Sequence, residues 1–306
     1  MSREREWSLE LREAVATLAR AGVDAPRADA ELLLAHVLGG ERGAVMARVL
    51  AGAQAEPAQA AVFAGLVERR AGREPLQHLT GRACFHGVDL AVGPGVFVPR
   101  PETELLVEVG IGALIADPQA ERVLDLCTGS GAVAAAVAAW GQAQGRRLRI
   151  TAVELDPTAH SWARRNLEPW GVDLRLADAL DPIPELRGVV DVLLTNPPYV
   201  PDGEEPLQPE ARRDPDLALY GGDARGLRIP LRLIGAAAAL LRPGGTFAME
   251  HHETQGEALA AAAEACGAFE RVRVLPDATG RDRVLVAVRG AAPEAPAAEW
   301  KNGPCE

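Results

Sequence analysis

Two apolar runs near the C-terminal end, 271–275 and 283–289, are separated only by Pro276 to Asp282. That interval is too short for a helical crossover, so the two strands must pair antiparallel. Upstream the spacing is different. Strand-like runs near 122–126, 148–154, 173–177, 189–195 and 245–250 are separated by stretches long enough for helices, which is the βα alternation of a parallel sheet. The chain is therefore expected to build a seven-stranded, mostly parallel α/β sheet of Rossmann-like type, with five parallel strands closed by one antiparallel pair.

Residues 7 to about 80 instead place apolar residues at helical spacing. Leu11, Val15 and Leu18 share a face behind a Ser8 cap, and Gly22 marks a stop. Pro26 opens a second helix with Ala30, Leu33, Leu34 and Val37 inward, ended by Gly39-Gly40. Pro57 opens a third, with Phe63, Leu66 and Val67 facing the core. From Cys84 to Val98 the pattern alternates through Val88, Leu90 and Val92, then Gly93-Pro94-Gly95, then Val96-Phe97-Val98, as in a β-hairpin. The expected organisation is a helical domain over 1–81, a hairpin linker over 82–98, a sheet domain over 99–290 and a disordered tail over 291–306.

Composition excludes several roles. Net charge is −11 and the sequence pI about 5.2, which argues against a broad phosphate-binding surface and direct nucleic-acid binding. Arg69-Arg70 with Arg73, and Arg146-Arg147 with Arg149, read as solvated faces. Cys84, Cys127, Cys266 and Cys305 are scattered, so neither a disulfide framework nor a zinc site is expected. In His251-His252-Glu253 adjacent strand residues point to opposite faces, so a metal site is not expected there either. No apolar stretch reaches the roughly 18 residues a membrane span requires. Arg3-Glu4-Arg5-Glu6 is no signal peptide, and the chain reads as cytoplasmic.

The chemistry-bearing residues sit at strand ends. The first strand runs into Asp125-Leu126-Cys127-Thr128-Gly129-Ser130-Gly131, whose glycines permit a sharp turn and close approach to a ligand. The second strand ends in Glu154, a carboxylate placed to accept hydrogen bonds from ribose hydroxyls. The spacing Cys127-x-Gly129-x-Gly131 is not Gly-x-Gly-x-x-Gly, and no helix N-terminus is clearly arranged for a pyrophosphate, which speaks against a dinucleotide. Asp178-Ala179 follow the third strand, where they meet an adenine ring. Asn196-Pro197-Pro198-Tyr199 follow the fourth. The prolines hold the backbone extended there and supply carbonyls without competing donors, Asn196 adds an acceptor and two donors, and Tyr199 adds a flat ring. That set suits a planar group bearing an NH2, either a nucleobase edge or a carboxamide.

In this order the four elements resemble the class I S-adenosylmethionine-dependent methyltransferases, and Asn196 to Tyr199 resemble their amino-group-methylating branch. The likeness narrows with Glu74-Pro75-Leu76-Gln77-His78-Leu79-Thr80-Gly81 and Val98-Pro99-Arg100-Pro101-Glu102-Thr103-Glu104. With these the chain is similar, over about residues 8 to 289, to the release-factor glutamine methyltransferases (the HemK/PrmC family). The resemblance implies methyl transfer from S-adenosylmethionine to the side-chain amide nitrogen of the glutamine in the Gly-Gly-Gln motif of class I peptide-chain release factors. It implies that Cys127, Thr128, Gly129, Ser130 and Gly131 line the methionine end of the cofactor, that Glu154 holds the ribose, and that Asp178 and Ala179 border the adenine. Asn196, Pro197, Pro198 and Tyr199 would hold the glutamine. Asn196, Pro197 and Tyr199 would carry the catalysis, with Asn196 also beside the cofactor and the Tyr199 ring, not its hydroxyl, doing the packing. The helical domain would dock the release factor. Cys127 stands where many relatives have glycine, and Ala179 where some have a large aromatic. The rival readings are a DNA or RNA amino-methyltransferase acting on adenine or guanine, and a ribosomal-protein glutamine methyltransferase.

Overall fold

The computed structural model describes residues 5–206 and 208–291. The tail from 292 onward, expected to be disordered, lies outside the described residues. The chain forms two compact units, Met1–Arg82 with Leu207–Arg213, and Ala83–Pro206 with Asp214–Glu306.

In the first unit the three expected helices are Trp7–Arg20, Pro26–Leu38 and Pro57–Ala71, joined by the unforeseen Arg42–Leu50 and Leu76–Thr80. Trp7 packs edge-on against Phe63 with ring centroids 6.0 Å apart, among the buried Leu18, Leu33 and Leu34. Burying that indole draws the chain into the helix earlier than expected. Ser8 therefore lies inside the helix, bonded to the Glu6 carboxylate, and does not cap it. Arg70 is buried between two carboxylates, 2.7 Å from Asp29 Oδ2 and 2.7 Å from Glu210 Oε1, and Arg73 reaches the other Glu210 oxygen at 2.9 Å. Glu210 belongs to the returning segment 207–213. Removing either partner of such a buried pair costs about 3–5 kcal/mol.

The hairpin is shorter than the sequence suggests. Its strands are Arg82–Phe85 and Val88–Ala91, and its turn is His86-Gly87, not Gly93-Pro94-Gly95. His86 and Gly87 have φ of 47° and 77°, the left-handed pair that matches the twist of a tight hairpin. The His86 N–H donates to the Glu104 carboxylate at 2.8 Å. Gly93 and Gly95 serve close packing instead. A Cβ on Gly93 would stand 2.5 Å from the Trp162 ring, and one on Gly95 2.7 Å from Thr158.

The central sheet of the second unit has strands β1 (Arg122–Leu126), β2 (Arg149–Glu154), β3 (Asp173–Leu176), β4 (Val190–Thr195), β5 (Leu241–Glu250), β6 (Phe269–Pro276) and β7 (Asp282–Arg289). Their order is β3-β2-β1-β4-β5-β7-β6. Neighbours from β3 to β5 are parallel, and β7 runs antiparallel to both β5 and β6. This is the class I methyltransferase fold. β1 and β4 are buried on both faces, as their unbroken apolar runs require. One apolar core covers each face of the sheet. The first contains the hairpin's Phe85 and Leu90 with helices Glu104–Ala116 and Ala132–Ala143. The second contains Leu124, Leu193, Phe247 and helix Arg228–Leu240. Gly110 lets helix Glu104–Ala116 approach β4 closely, since a Cβ there would stand 2.7 Å from Leu194. That contact fixes where the start of this helix, and the Pro99–Glu104 segment before it, stand beside the end of β4.

Asn166 ties the hairpin to the glycine turn. Its Oδ1 accepts from the Ala91 N–H at 2.8 Å, and its Nδ2 donates to the carbonyls of Ala91 at 2.9 Å and Ser130 at 2.8 Å. Because the residue is buried, Asn166→Ala strands backbone groups that water cannot reach, at about 1–3 kcal/mol each. The variant is expected to lose at least about 2 kcal/mol of unfolding free energy in a urea titration. An unchanged midpoint would show that the bonds are dispensable.

Candidate active site

β1 and β4 pair in the register Leu126↔Thr195, and the Thr195 hydroxyl donates to the Leu126 carbonyl at 2.8 Å. At this pair the strand order reverses, because the chain moves one way through β2 and β3 and the other way through β5. The crevice beyond the carboxyl ends at such a point is where open α/β sheets bind ligands. Cys127 and Asn196 are the first residues beyond the two paired strands, so the glycine turn and Asn196-Pro197-Pro198-Tyr199 emerge side by side.

A cavity of about 320 Å³ opens there. Cys127, Thr128, Gly129, Ser130, Glu154, Asp178, Ala179, Asn196, Pro198 and Tyr199 all contribute to its wall. Gly131 and Pro197 do not. Gly131, at φ 83°, instead starts helix Ala132–Ala143, and a Cβ on it would stand 2.9 Å from Leu167. Gly129, at φ 59°, has no protein atom within 4 Å of where a Cβ would be, so a side chain there would project into open space beside the wall.

The turn is built on buried carboxylates. Asp125 Oδ2 accepts from the Thr128 hydroxyl at 2.5 Å and from the Ala134 N–H at 3.1 Å. Burial pushes the Asp125 carboxyl up to about 7 against those two bonds, with the Glu154 charge adding to the rise. Glu154 Oε2 accepts from the Gly129 N–H and Oε1 from the Asp156 N–H, each at 2.8 Å. Burial raises the Glu154 carboxyl, opposed by the backbone N–H groups of Asp156 and Gly129. Each carboxylate oxygen keeps a second lone pair, so Glu154 can brace the turn and still accept two hydroxyl protons. Asp178 closes a turn of its own by accepting from the Leu180 N–H at 2.9 Å. Cys127 has φ 58°, a conformation that costs an L-residue roughly 1–2 kcal/mol and suits glycine. Burial, reinforced by the Glu154 charge, pushes its thiol far above the ordinary range.

Beyond β4 the Asn196 Nδ2 donates to Thr103 Oγ1 at 3.2 Å, and the Tyr199 hydroxyl donates to Glu250 Oε1 at 3.0 Å. Gln255 Nε2 donates to the carbonyls of Tyr199 at 2.8 Å and Arg225 at 2.7 Å, which fixes the backbone of the motif. The Tyr199 hydroxyl thus has a buried partner that a reading of its ring alone leaves out. Burial beside Glu250 raises its pKa well above the usual range.

Thr103, Glu250, Gln255 and Asn166 are absent from the sequence-based site. Glu250 carried a signal. It ends the apolar run Phe247-Ala248-Met249 just as Glu154 ends Ala152-Val153, and the register Thr195↔Met249 brings it beside Asn196. Thr103 lay within the Pro99–Glu104 segment, where only an unused helix cap distinguishes it. Phe97, Leu155, Leu217 and Ile229 complete the wall as apolar surface and carried no separate signal.

Two family models match the chain, "PrmC N-terminal domain" over residues 11–81 and "Methyltransferase small domain" over residues 77–208. The chain is 44% identical to the release factor glutamine methyltransferase of Bifidobacterium longum, across 91% of this chain and 98% of that protein. It is 48% identical to the protein of the same name from Streptomyces coelicolor, across 81% and 85%. Among solved structures, a ribosomal protein L11 methylase from Lactobacillus delbrueckii subsp. bulgaricus is 20% identical with a TM-score of 0.45, covering 65% of this chain and 84% of that one.

The raised carboxyl at Asp125 makes stability depend on pH. The folded group keeps its proton up to about 7, whereas an unfolded one releases it near 3.8. Between those values the folded chain holds the extra proton, so this group's contribution to stability falls as pH rises. Asp125→Asn keeps an acceptor for Thr128 and Ala134 without the charge. Its unfolding free energy relative to wild type is expected to rise from pH 4 to pH 8, flattening above about 7. Parallel stability curves for the two proteins across that range would exclude a buried, protonated Asp125.

Proposed function

The chain belongs to the release factor glutamine methyltransferase family, and on that footing we propose that it transfers a methyl group from S-adenosylmethionine to the side-chain amide nitrogen, N5, of the glutamine in the Gly-Gly-Gln motif of class I peptide-chain release factors. The observation that carries the proposal is the shared wall of one cavity. The glycine turn with Glu154 lies on one side and Asn196, Pro198 and Tyr199 on the other.

The residues fit the cofactor. The free lone pairs of Glu154 suit the vicinal hydroxyls of a ribose, and the empty space beside Gly129 is what a ligand lying against the turn requires. Asp178 and Ala179 border the adenine, and Thr128 to Ser130 the methionine end, with Gly131 and Cys127 shaping the turn. When bound, S-adenosylmethionine supplies an electrophilic methyl on a sulfonium.

A carboxamide nitrogen is a poor nucleophile because its lone pair is delocalised into the carbonyl. What the protein supplies is placement, which for reacting atoms held at roughly 3–3.5 Å is worth several kcal/mol. The Asn196 Oδ1 and the Pro197 carbonyl accept the two amide hydrogens and aim the nitrogen, and Tyr199 lies against the amide plane. The wall contains no His or Lys, so the proton, made acidic by methylation, leaves to water. The helical unit docks the release factor, and the enzyme works in the cytoplasm. No described helix is long and apolar enough to cross a membrane.

The test is the intact mass of a purified release factor after incubation with enzyme and cofactor. A gain of one methyl group is expected, lost when the motif glutamine is replaced by alanine. Labelling of DNA or RNA with none on release factors would favour the nucleobase reading. Two variants separate the halves of the site. Glu154→Ala is expected to weaken cofactor binding by about 1.5–3 kcal/mol in calorimetry. Asn196→Ala should bind cofactor normally and lose roughly a hundredfold in methyl transfer. Near-wild-type transfer by Asn196→Ala would reduce the motif to a turn.

A further inference from the structure

We infer that Thr103 and Glu250 are positioning residues that fix which end of the Asn196 amide faces the cavity, and so set the site's selectivity for a substrate NH2; the inference rests on the methyl-transfer reading above. The two ends of an asparagine amide are nearly isosteric, so their orientation is decided by the partners. Asn196 Nδ2 lies 3.2 Å from Thr103 Oγ1. Thr103 also hydrogen-bonds the Glu250 side chain, and an ionised carboxylate only accepts. A threonine hydroxyl has one proton. Once that proton goes to Glu250, Oγ1 must accept from its other neighbour, and the neighbour must present NH2. Asn196 Oδ1 is then left for the substrate.

Other features support this. Thr103 occupies the N-cap of helix Glu104–Ala116, yet its side chain makes no capping bond. Its hydroxyl is used on Asn196 and Glu250 instead. Glu250 is 2% exposed, takes a second donor from the Tyr199 hydroxyl, and keeps Oε2 buried without a hydrogen-bond partner. The carboxylate thus acts as an acceptor sink that orients both polar side chains of the motif. A reversed Asn196 would face the substrate's NH2 with its own, two donors opposed.

Three variants test the polarity. Thr103→Val removes the hydroxyl at constant volume, Glu250→Gln introduces an NH2 that no longer dictates direction, and Thr103→Ser keeps the hydroxyl. In single-turnover assays on a release factor, the first two are expected to lose about tenfold or more in transfer rate at saturating substrate, with cofactor affinity within about twofold of wild type and Thr103→Ser largely restored. A second readout needs no substrate. The Asn196 side-chain NH2, followed by nitrogen-15 NMR, should exchange with solvent slowly in wild type and Thr103→Ser and faster in Thr103→Val. Unchanged exchange in Thr103→Val, or wild-type transfer rates in Thr103→Val and Glu250→Gln, would overturn the proposal. If the wild-type enzyme leaves release factors unlabelled, the methyl-transfer reading falls, and the exchange result alone decides whether the clamp exists.

Discussion

The pairing of β1 with β4 joins segments separated by β2, β3 and their helices, and the site depends on it. Closing so long a loop is entropically costly and slow, and what holds it is the apolar length of both strands buried between two helical layers. In the register Leu126↔Thr195 the cofactor turn and the amide-holding motif start level with each other. A slip of one residue would turn every side chain of β4 to the opposite face. It would also move Asn196 by about 3.3 Å along the strand, enough to carry it out of reach of Thr103. The two motifs are therefore useful together only because the core fixes the register.

The buried carboxylates divide according to the end of the sheet on which they lie. At the amino end Asp191 accepts from the backbone of Glu121 and Arg122 and pairs with Arg242. Burial alone would raise it, but those partners bring its pKa below the usual value. At the carboxyl end Asp125, Glu154 and Glu250 have hydrogen-bond donors but no arginine in direct contact, and burial raises all three. The nearby Arg283 lowers Glu250 only in part and pairs directly with Asp277. Acceptors not neutralised by a cation stay available to the N–H and O–H groups of a ligand. The same chemical group thus closes the sheet at one end and equips the site at the other.

Periodicity and strand-end chemistry made the sheet, its antiparallel pair, the three main helices and the two faces of the cavity readable in the sequence. Each is a local pattern, or a short interval that leaves one topological solution. The pieces that escaped are tertiary. The hairpin turn falls at His86-Gly87 because Glu104, far along the chain, receives the His86 N–H, while the more turn-like Gly93-Pro94-Gly95 is needed for contact with Trp162 and Thr158. Thr103 looks like an ordinary helix cap until its hydroxyl is found elsewhere. Asn166 looks like an exposed helix-end residue until the hairpin covers it.

The helical unit is discontinuous. The chain leaves it after Arg82, returns at 207–213 and leaves again, and the return brings Glu210 to the buried Arg70. A gene fragment ending at Arg82 therefore encodes the helices but not one of the carboxylates that neutralise an interior cation. Recombination between relatives at that single boundary would join an Arg70 from one parent to a Glu210 from another. The two must have changed together, so inheritance links the helical unit to the loop that follows the catalytic strand, and the units cannot be exchanged as independent modules.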